Sequence, residues 1–222
     1  MNYYLDTEFL CTNHAGIDET VELISIALLR EDGKSFYRIS KSVDVKDVYL
    51  NDWIRENVIP GLMPKQTVSR FEDFKRMMAN YGKPREQIRN DLTDFIREEE
   101  QITKCKLDAR FFAYYSAYDW VLFCQLFGGL MNLPKGFAYH CVDLRVLFDV
   151  AGMTKEQPKR AVPQSANKHN AEVDCRWNLD VHRYLAERVP MLSLGLTPEK
   201  PTGVVQRARN KELSHGNEGK VM

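Results

Sequence analysis

Residues 2–9 read Asn-Tyr-Tyr-Leu-Asp-Thr-Glu-Phe, a run of β-forming side chains that ends on acid. The run predicts a buried strand whose far end reaches a site. Side chains on a strand alternate faces, so Asp6 and Glu8 point one way and Thr7 the other. Two carboxylates side by side repel each other. A hard cation between them, Mg²⁺ or Mn²⁺, removes that cost, because both favour carboxylate oxygens. A solvated strand end can look the same, so the reading of this pair depends on the rest of the chain.

Working outward, residues 20–31 (TVELISIALLRE) form a continuous apolar run that suits a central strand. Glu31-Asp32-Gly33-Lys34 reads as a hairpin turn, and residues 35–40 as the returning strand. The chain therefore opens with a three-stranded antiparallel meander. Helical patterns follow at residues 51–58 (stopped by Pro60-Gly61), at 71–80 and at 85–101, the last placing Ile88, Leu92, Phe95 and Ile96 on one stripe. Residues 110–115 (RFFAYY) predict a fourth strand, 117–127 a helix closed by Gly128-Gly129, and 139–142 a short fifth strand. A helix is expected over 143–150, a polar basic loop over 154–168, and a strong helix over 170–188, with Val173, Trp177, Leu179, Val181, Tyr184 and Leu185 at helical spacing. A meander followed by α/β alternation predicts an α/β domain: a mixed five-stranded sheet with helices on both faces. The expected domain covers residues 1–190. Residues 191–222, polar and rich in Gly, Pro, Lys and Glu, are expected as a tail, mobile or contacting a partner.

Composition sets limits. The 31 basic and 31 acidic residues cancel, so the chain would bind nucleic acid only by segregating charge into a basic groove. The five cysteines are scattered without CxxC spacing, which argues against a disulfide framework or a cysteine zinc site. The N-terminus lacks the basic patch and apolar run of a signal peptide. No apolar run nears the roughly 18 residues of a membrane span. The expectation is a cytoplasmic protein with no membrane association.

Two further features carry chemistry. Ala117-Tyr118-Asp119-Trp120 follows the RFFAYY strand, and Asp119 falls in the first turn of a helix. His169-Asn170-Ala171-Glu172-Val173-Asp174 stands where the basic loop enters the last helix, with His169 and Asp174 five residues apart. Acidic residues in a first helical turn also serve the helix dipole, so neither feature is specific by itself. In order along the chain, Asp6, Glu8, Asp119, His169 and Asp174 resemble the signature of the DEDD exonuclease superfamily in its histidine-containing branch. The closest likeness is to the small bacterial and phage 3′–5′ exoribonucleases of the mycobacterial type, in which a tyrosine-rich strand leads into Ala-Tyr-Asp, as Tyr114 to Asp119 do here. The resemblance covers roughly residues 1–188.

The resemblance implies a ribonuclease H-like fold and a 3′–5′ exonuclease. It implies two divalent ions, Mg²⁺ or Mn²⁺, roughly 3.5–4 Å apart. Asp6 would bridge both, Glu8 and Asp174 would complete the site facing the attacking water, and Asp119 would support the other. His169 would take the water's proton, a task suited to an imidazole near neutral pH. Single-stranded RNA or a 3′ overhang is the expected substrate, with DNA as the rival and a silent nucleic-acid-binding protein as the reading from another class. Phe9 and Leu10 are candidates for a wedge at the 3′ end. Lys159 and Arg160, with Lys155 and Lys168, are candidates for contacts to substrate phosphates. Trp120 and Trp177 are expected in the core. A homodimer is expected by resemblance only.

Overall fold

The β-forming runs produce strands that pair in the order β3-β2-β1-β4-β5. The computed structural model describes residues 1–12, 20–63, 65–103, 106–165 and 169–195, except the side chains of 101–103. Strands β1 (Asn2–Thr12), β2 (Thr20–Arg30) and β3 (Ser35–Ile39) form the expected antiparallel meander. Gly33, at φ 93°, makes the turn between the second and third, a conformation that glycine adopts without a Cβ penalty. Strands β4 (Ala109–Ala113) and β5 (Phe137–Asp143) add in parallel on the other side of β1. This is the mixed five-stranded sheet of a ribonuclease H-like fold. No helix among the described residues is long and apolar enough to cross a membrane.

Helices cover both faces. On one, α5 (Arg85–Thr103) and α6 (Ala117–Leu126) pack against the sheet through Ile88, Leu92, Ile96 and Phe123, all fully buried beside Tyr3, Leu5 and Phe111. Full burial of each such side chain contributes roughly 1.5–3 kcal/mol. The other face carries α7 (Leu144–Val150), α8 (Glu156–Ala161) and α9 (Ala171–Arg188). A third cluster fills the end of the sheet under α1 (Val45–Leu50), α2 (Asp52–Asn57), α3 (Ile59–Leu62) and α4 (Phe71–Tyr81). Trp177 is buried in the second cluster, and Trp120 packs half-buried against the first.

Three local expectations need correction. Residues 154–168 were expected as a loop, but 156–161 form α8. Pro158 lies in its first turn, where a missing N–H costs nothing, and the Gln157 side chain accepts from the Thr154 N–H at 2.6 Å just ahead of the helix. Pro60-Gly61 does not stop a helix; it lies inside the single turn α3. The RFFAYY strand ends at Ala113, and Tyr115 turns the chain at φ 62°. The tail expected from residue 191 begins by packing back on the domain: the Leu192 carbonyl accepts from His182, and that of Leu194 from Arg110. Residues 196–222 lie outside the described residues.

The α9 stripe includes a polar residue with no exposure, His182. Its Nε2–H donates to the Leu192 carbonyl at 3.1 Å, so Nδ1 is left to accept from the Tyr4 hydroxyl at 2.8 Å. Burial pushes the imidazole from 6.5 down to about 4. Between those values the unfolded chain binds a proton that the folded chain refuses, so stability falls as pH drops through that window. The expected loss is about 3 kcal/mol. Urea denaturation of His182→Gln near pH 7 and pH 4.5 should show a smaller change than wild type; equal changes would mean that His182 is not held neutral.

Candidate active site

The site begins where β1 outruns β4. Pairing between these strands covers Asn2 to Tyr4 only, so beyond Leu5 the β4 side of β1 has no strand beside it. Asp6 and Glu8 lie on that stretch, opposite Ala27 and Ser25 of β2. They face α9, whose first turn brings up Asp174. Buried polar groups fix α9 in place: the Asn178 side chain donates to the Leu5 carbonyl at 3.1 Å, and the Cys175 thiol meets the Ala27 carbonyl at 3.4 Å. Carboxylate oxygens of Asp6, Glu8 and Asp174 lie within 4.8 Å of one another. Burial, then the charges of Asp119, Asp174 and Glu8, holds the Asp6 carboxyl well above the usual carboxylate range. Burial and the charges of Asp174 and Asp119 push Glu8 up to about 8.

Asp119 is near this trio but not part of it. One of its oxygens accepts from both the Thr7 N–H at 2.8 Å and the Thr7 hydroxyl at 2.6 Å. The carboxylate thus takes the ladder position that β4 leaves empty. Burial raises its pKa to about 6 even though both Thr7 hydrogen bonds lower it. Asp143 sets the approach of α6. It accepts from the backbone N–H groups of Tyr115, Ser116 and Arg145, at 3.2, 3.0 and 2.8 Å. It therefore caps α7 and also holds the left-handed turn at Tyr115 from which α6 starts. The sequence reading did not single out Asp143; an acid just before the apolar run 144–148 was the available signal.

His169 is half-buried and sits at φ 62°. Its N–H donates to the Asp174 carboxylate at 3.1 Å. Its ring meets that of Trp53 on α2 edge-on, with centroids 4.9 Å apart. Asn170 caps α9 by accepting from the Val173 N–H, and its side-chain amide donates to the Gly61 carbonyl. Glu172, in the same motif, turns away to accept from Ser35 and Arg176.

The structure separates the substrate-contact candidates. The register shifts between Glu8 and Phe9, where the pairing skips Ile24 of β2. Phe9 is half-buried with its ring 5.2 Å from that of the exposed Tyr118. Leu10 is a correction: its side chain is buried in the third core cluster, not turned to the site. Lys159 and Arg160 are exposed in the last turn of α8, not in a loop. Lys168 lies outside the described residues.

Clustered hard oxygen donors, held together against their own repulsion, fit divalent cations. The profile of the 3′-5′ exoribonuclease Rv2179c-like domain matches residues 1–186 of the chain. The 3′-5′ exoribonucleases MT2234.1 and Rv2179c, from two strains of Mycobacterium tuberculosis, are each 31% identical over 176 residues, 79% of this chain and 88% of theirs. Among solved structures, the nuclease domain of 3′hExo, a DEDDh family member bound to rAMP, aligns at TM-score 0.51 and 12% identity, over 90% of this chain and 96% of its own. A 3′-exonuclease recognising the 3′ end of a histone mRNA stem-loop aligns at TM-score 0.52 and 12% identity, over 88% and 82%. At that identity the two solved structures speak for the fold.

The carboxyls yield a test. Their pKa values are raised on folding, so in the absence of metal the folded chain keeps protons that the unfolded chain has released, and stability falls as pH rises from about 4 to about 8. Divalent cations held by the ionised set would reverse that loss. Thermal melts in EDTA at alkaline pH should show Asp6→Asn more stable than wild type, by about 1–2 kcal/mol. In Mn²⁺ wild type should gain stability and the variant should not. A variant that melts below wild type in EDTA would contradict the repulsion.

Proposed function

The chain belongs to the Rv2179c-like family of 3′–5′ exoribonucleases in the DEDDh branch, nucleases that act on nucleic acid, and we propose that its own substrate is single-stranded RNA or a 3′ overhang. The observation that carries the proposal is the convergence of Asp6, Glu8 and Asp174 within 4.8 Å beside Asp119 and His169. The exoribonuclease names of the two 31% identical relatives support RNA over DNA.

Asp6, Glu8 and Asp174 would hold one divalent ion, with Asp6 shared and Asp119 supporting a second. Such ions activate water as a nucleophile at neutral pH and offset charge on the departing oxygen. His169 takes the proton of the attacking water. The water oxygen bonds to the terminal phosphorus, the bond to the 3′-oxygen of the preceding nucleotide breaks, that oxygen takes a proton from solvent to become the new 3′-hydroxyl, and a nucleoside 5′-monophosphate leaves. Asp119 keeps its place through Thr7, and Asp143 holds the turn that presents it. Phe9 and Tyr118 offer a stacking surface for the terminal base, a contact worth roughly 1–3 kcal/mol. Lys159 and Arg160 meet phosphates further along the strand. A homodimer belongs to the proposal on resemblance alone.

Incubating 5′-labelled single-stranded RNA and its DNA counterpart with Mg²⁺, Mn²⁺ or EDTA tests this reading. A metal-dependent ladder shortening from the 3′ end, faster on RNA and absent in Asp6→Ala, is expected. His169→Ala should lower kcat by about 10²–10⁴-fold. Double substitution of Lys159 and Arg160 to Ala should raise KM; an unchanged KM withdraws the α8 contact. Faster decay of the DNA strand would reassign the substrate.

A further inference from the structure

We propose that Trp53 is a positioning residue for His169, so that helix α2, which carries none of the acidic set, sets the catalytic rate. The inference rests on His169 acting as the general base.

His169 needs support. A non-glycine residue at φ 62° is in a left-handed conformation that costs an L-residue energy and persists where neighbours enforce it. Two sets of contacts enforce it here. From α9, the Asp174 carboxylate takes the His169 N–H. From α3, Gly61 lies directly against the histidine's peptide: a Cβ on Gly61 would sit 2.7 Å from the His169 carbonyl oxygen, and the Gly61 carbonyl accepts from Asn170. These contacts fix the backbone and leave the imidazole free to turn about its side-chain bonds.

Trp53 restricts that freedom. Its ring stands at 75° to the imidazole at 4.9 Å, the edge-to-face arrangement that aromatic quadrupoles favour. Trp53 is 54% exposed, so core packing does not account for its place. Its helix is nonetheless firm: the Asn51 side chain caps it by accepting from the Ile54 N–H, and Ile54 and Val58 are buried in the third cluster. An aromatic ring on a fixed helix, edge-on to a base, narrows the directions in which the imidazole nitrogens can point. A base must lie within hydrogen-bond reach of the proton it takes, so loss of the ring should appear in kcat.

The experiment measures kcat and KM on 5′-labelled single-stranded RNA for Trp53→Ala, Trp53→Phe, His169→Ala and the Trp53→Ala/His169→Ala pair. Mn²⁺ affinity by calorimetry and the melting temperature are measured alongside. Trp53→Ala should lower kcat about tenfold with KM, Mn²⁺ affinity and melting temperature unchanged, and Trp53→Phe should restore most of it. Added to His169→Ala, it should have no further effect, because the two residues act through one group. Gly61→Ala, which pushes on the His169 carbonyl, should also lower kcat without raising KM. A rise in KM that persists in the His169→Ala background would overturn the proposal and make Trp53 a substrate contact. Unchanged kcat in Trp53→Ala while His169→Ala is slow would overturn it and leave the base assignment standing. Full activity of His169→Ala would remove the base assignment and the inference together.

Discussion

Strand β1 is longer than β4, and the site follows from that difference. In a parallel pair each inner N–H and C=O finds a partner on the neighbouring strand. Here pairing with the neighbour stops at Phe112, and the Thr7 N–H must be satisfied some other way, because a buried orphan donor is costly. Asp119 satisfies it. The helix that follows β4 can bring an acid to that position because Asp143 folds the intervening residues into a left-handed turn. A backbone requirement of the sheet and the placement of a candidate ligand are thus met by the same hydrogen bond.

The acidic set strains the fold that carries it. Asp6, half-buried, and Glu8, buried, repel Asp174 and Asp119, and their carboxyls resist ionising. Apolar burial on both faces of the sheet and directed polar contacts oppose that repulsion. Asn178 is the clearest of these: it is almost fully buried in the α9 stripe and bonds the Leu5 carbonyl, immediately before Asp6. It fixes the height of α9 along β1, and with it the height of Asp174 against Asp6 and Glu8. Buried polar groups in an apolar stripe cost stability unless satisfied; satisfied, they specify one alignment.

The sheet was legible because its signals are local. The alternating run at 2–9, the continuous apolar run at 20–31, a glycine turn at 33 and the stripe of Ile88, Leu92 and Ile96 each depend on near neighbours. The order of Asp6, Glu8, Asp119, His169 and Asp174 was legible as a resemblance. What escaped depends on contacts distant in the chain or on backbone irregularity. Leu10 was misplaced because the residues of α1 to α4 that cover it lie far along the chain. Helix α8 was missed because Pro158 looks like a breaker unless it falls in a first turn. Asp143 and Trp53 were not singled out because their significance lies in the Tyr115 turn and in the His169 ring, 28 and 116 positions away.

The zero net charge also reads differently once the site is described. Four of the 31 acidic residues are Asp6, Glu8, Asp119 and Asp174. Divalent cations at the site would balance those four locally, since a bound ion is the largest charge in its surroundings. The rest of the chain then presents 31 basic residues against 27 acidic ones. Without metal, protons held by Asp6 and Glu8 offset part of that charge instead, so a phosphate backbone would meet a mildly basic protein in either state. Association with nucleic acid is driven largely by charge and weakens with salt, so an acidic set whose charge is offset at the site need not oppose substrate capture. The neutral composition, which seemed to weigh against a nucleic-acid substrate, counts four acids whose charge need not reach the surface that a phosphate backbone meets.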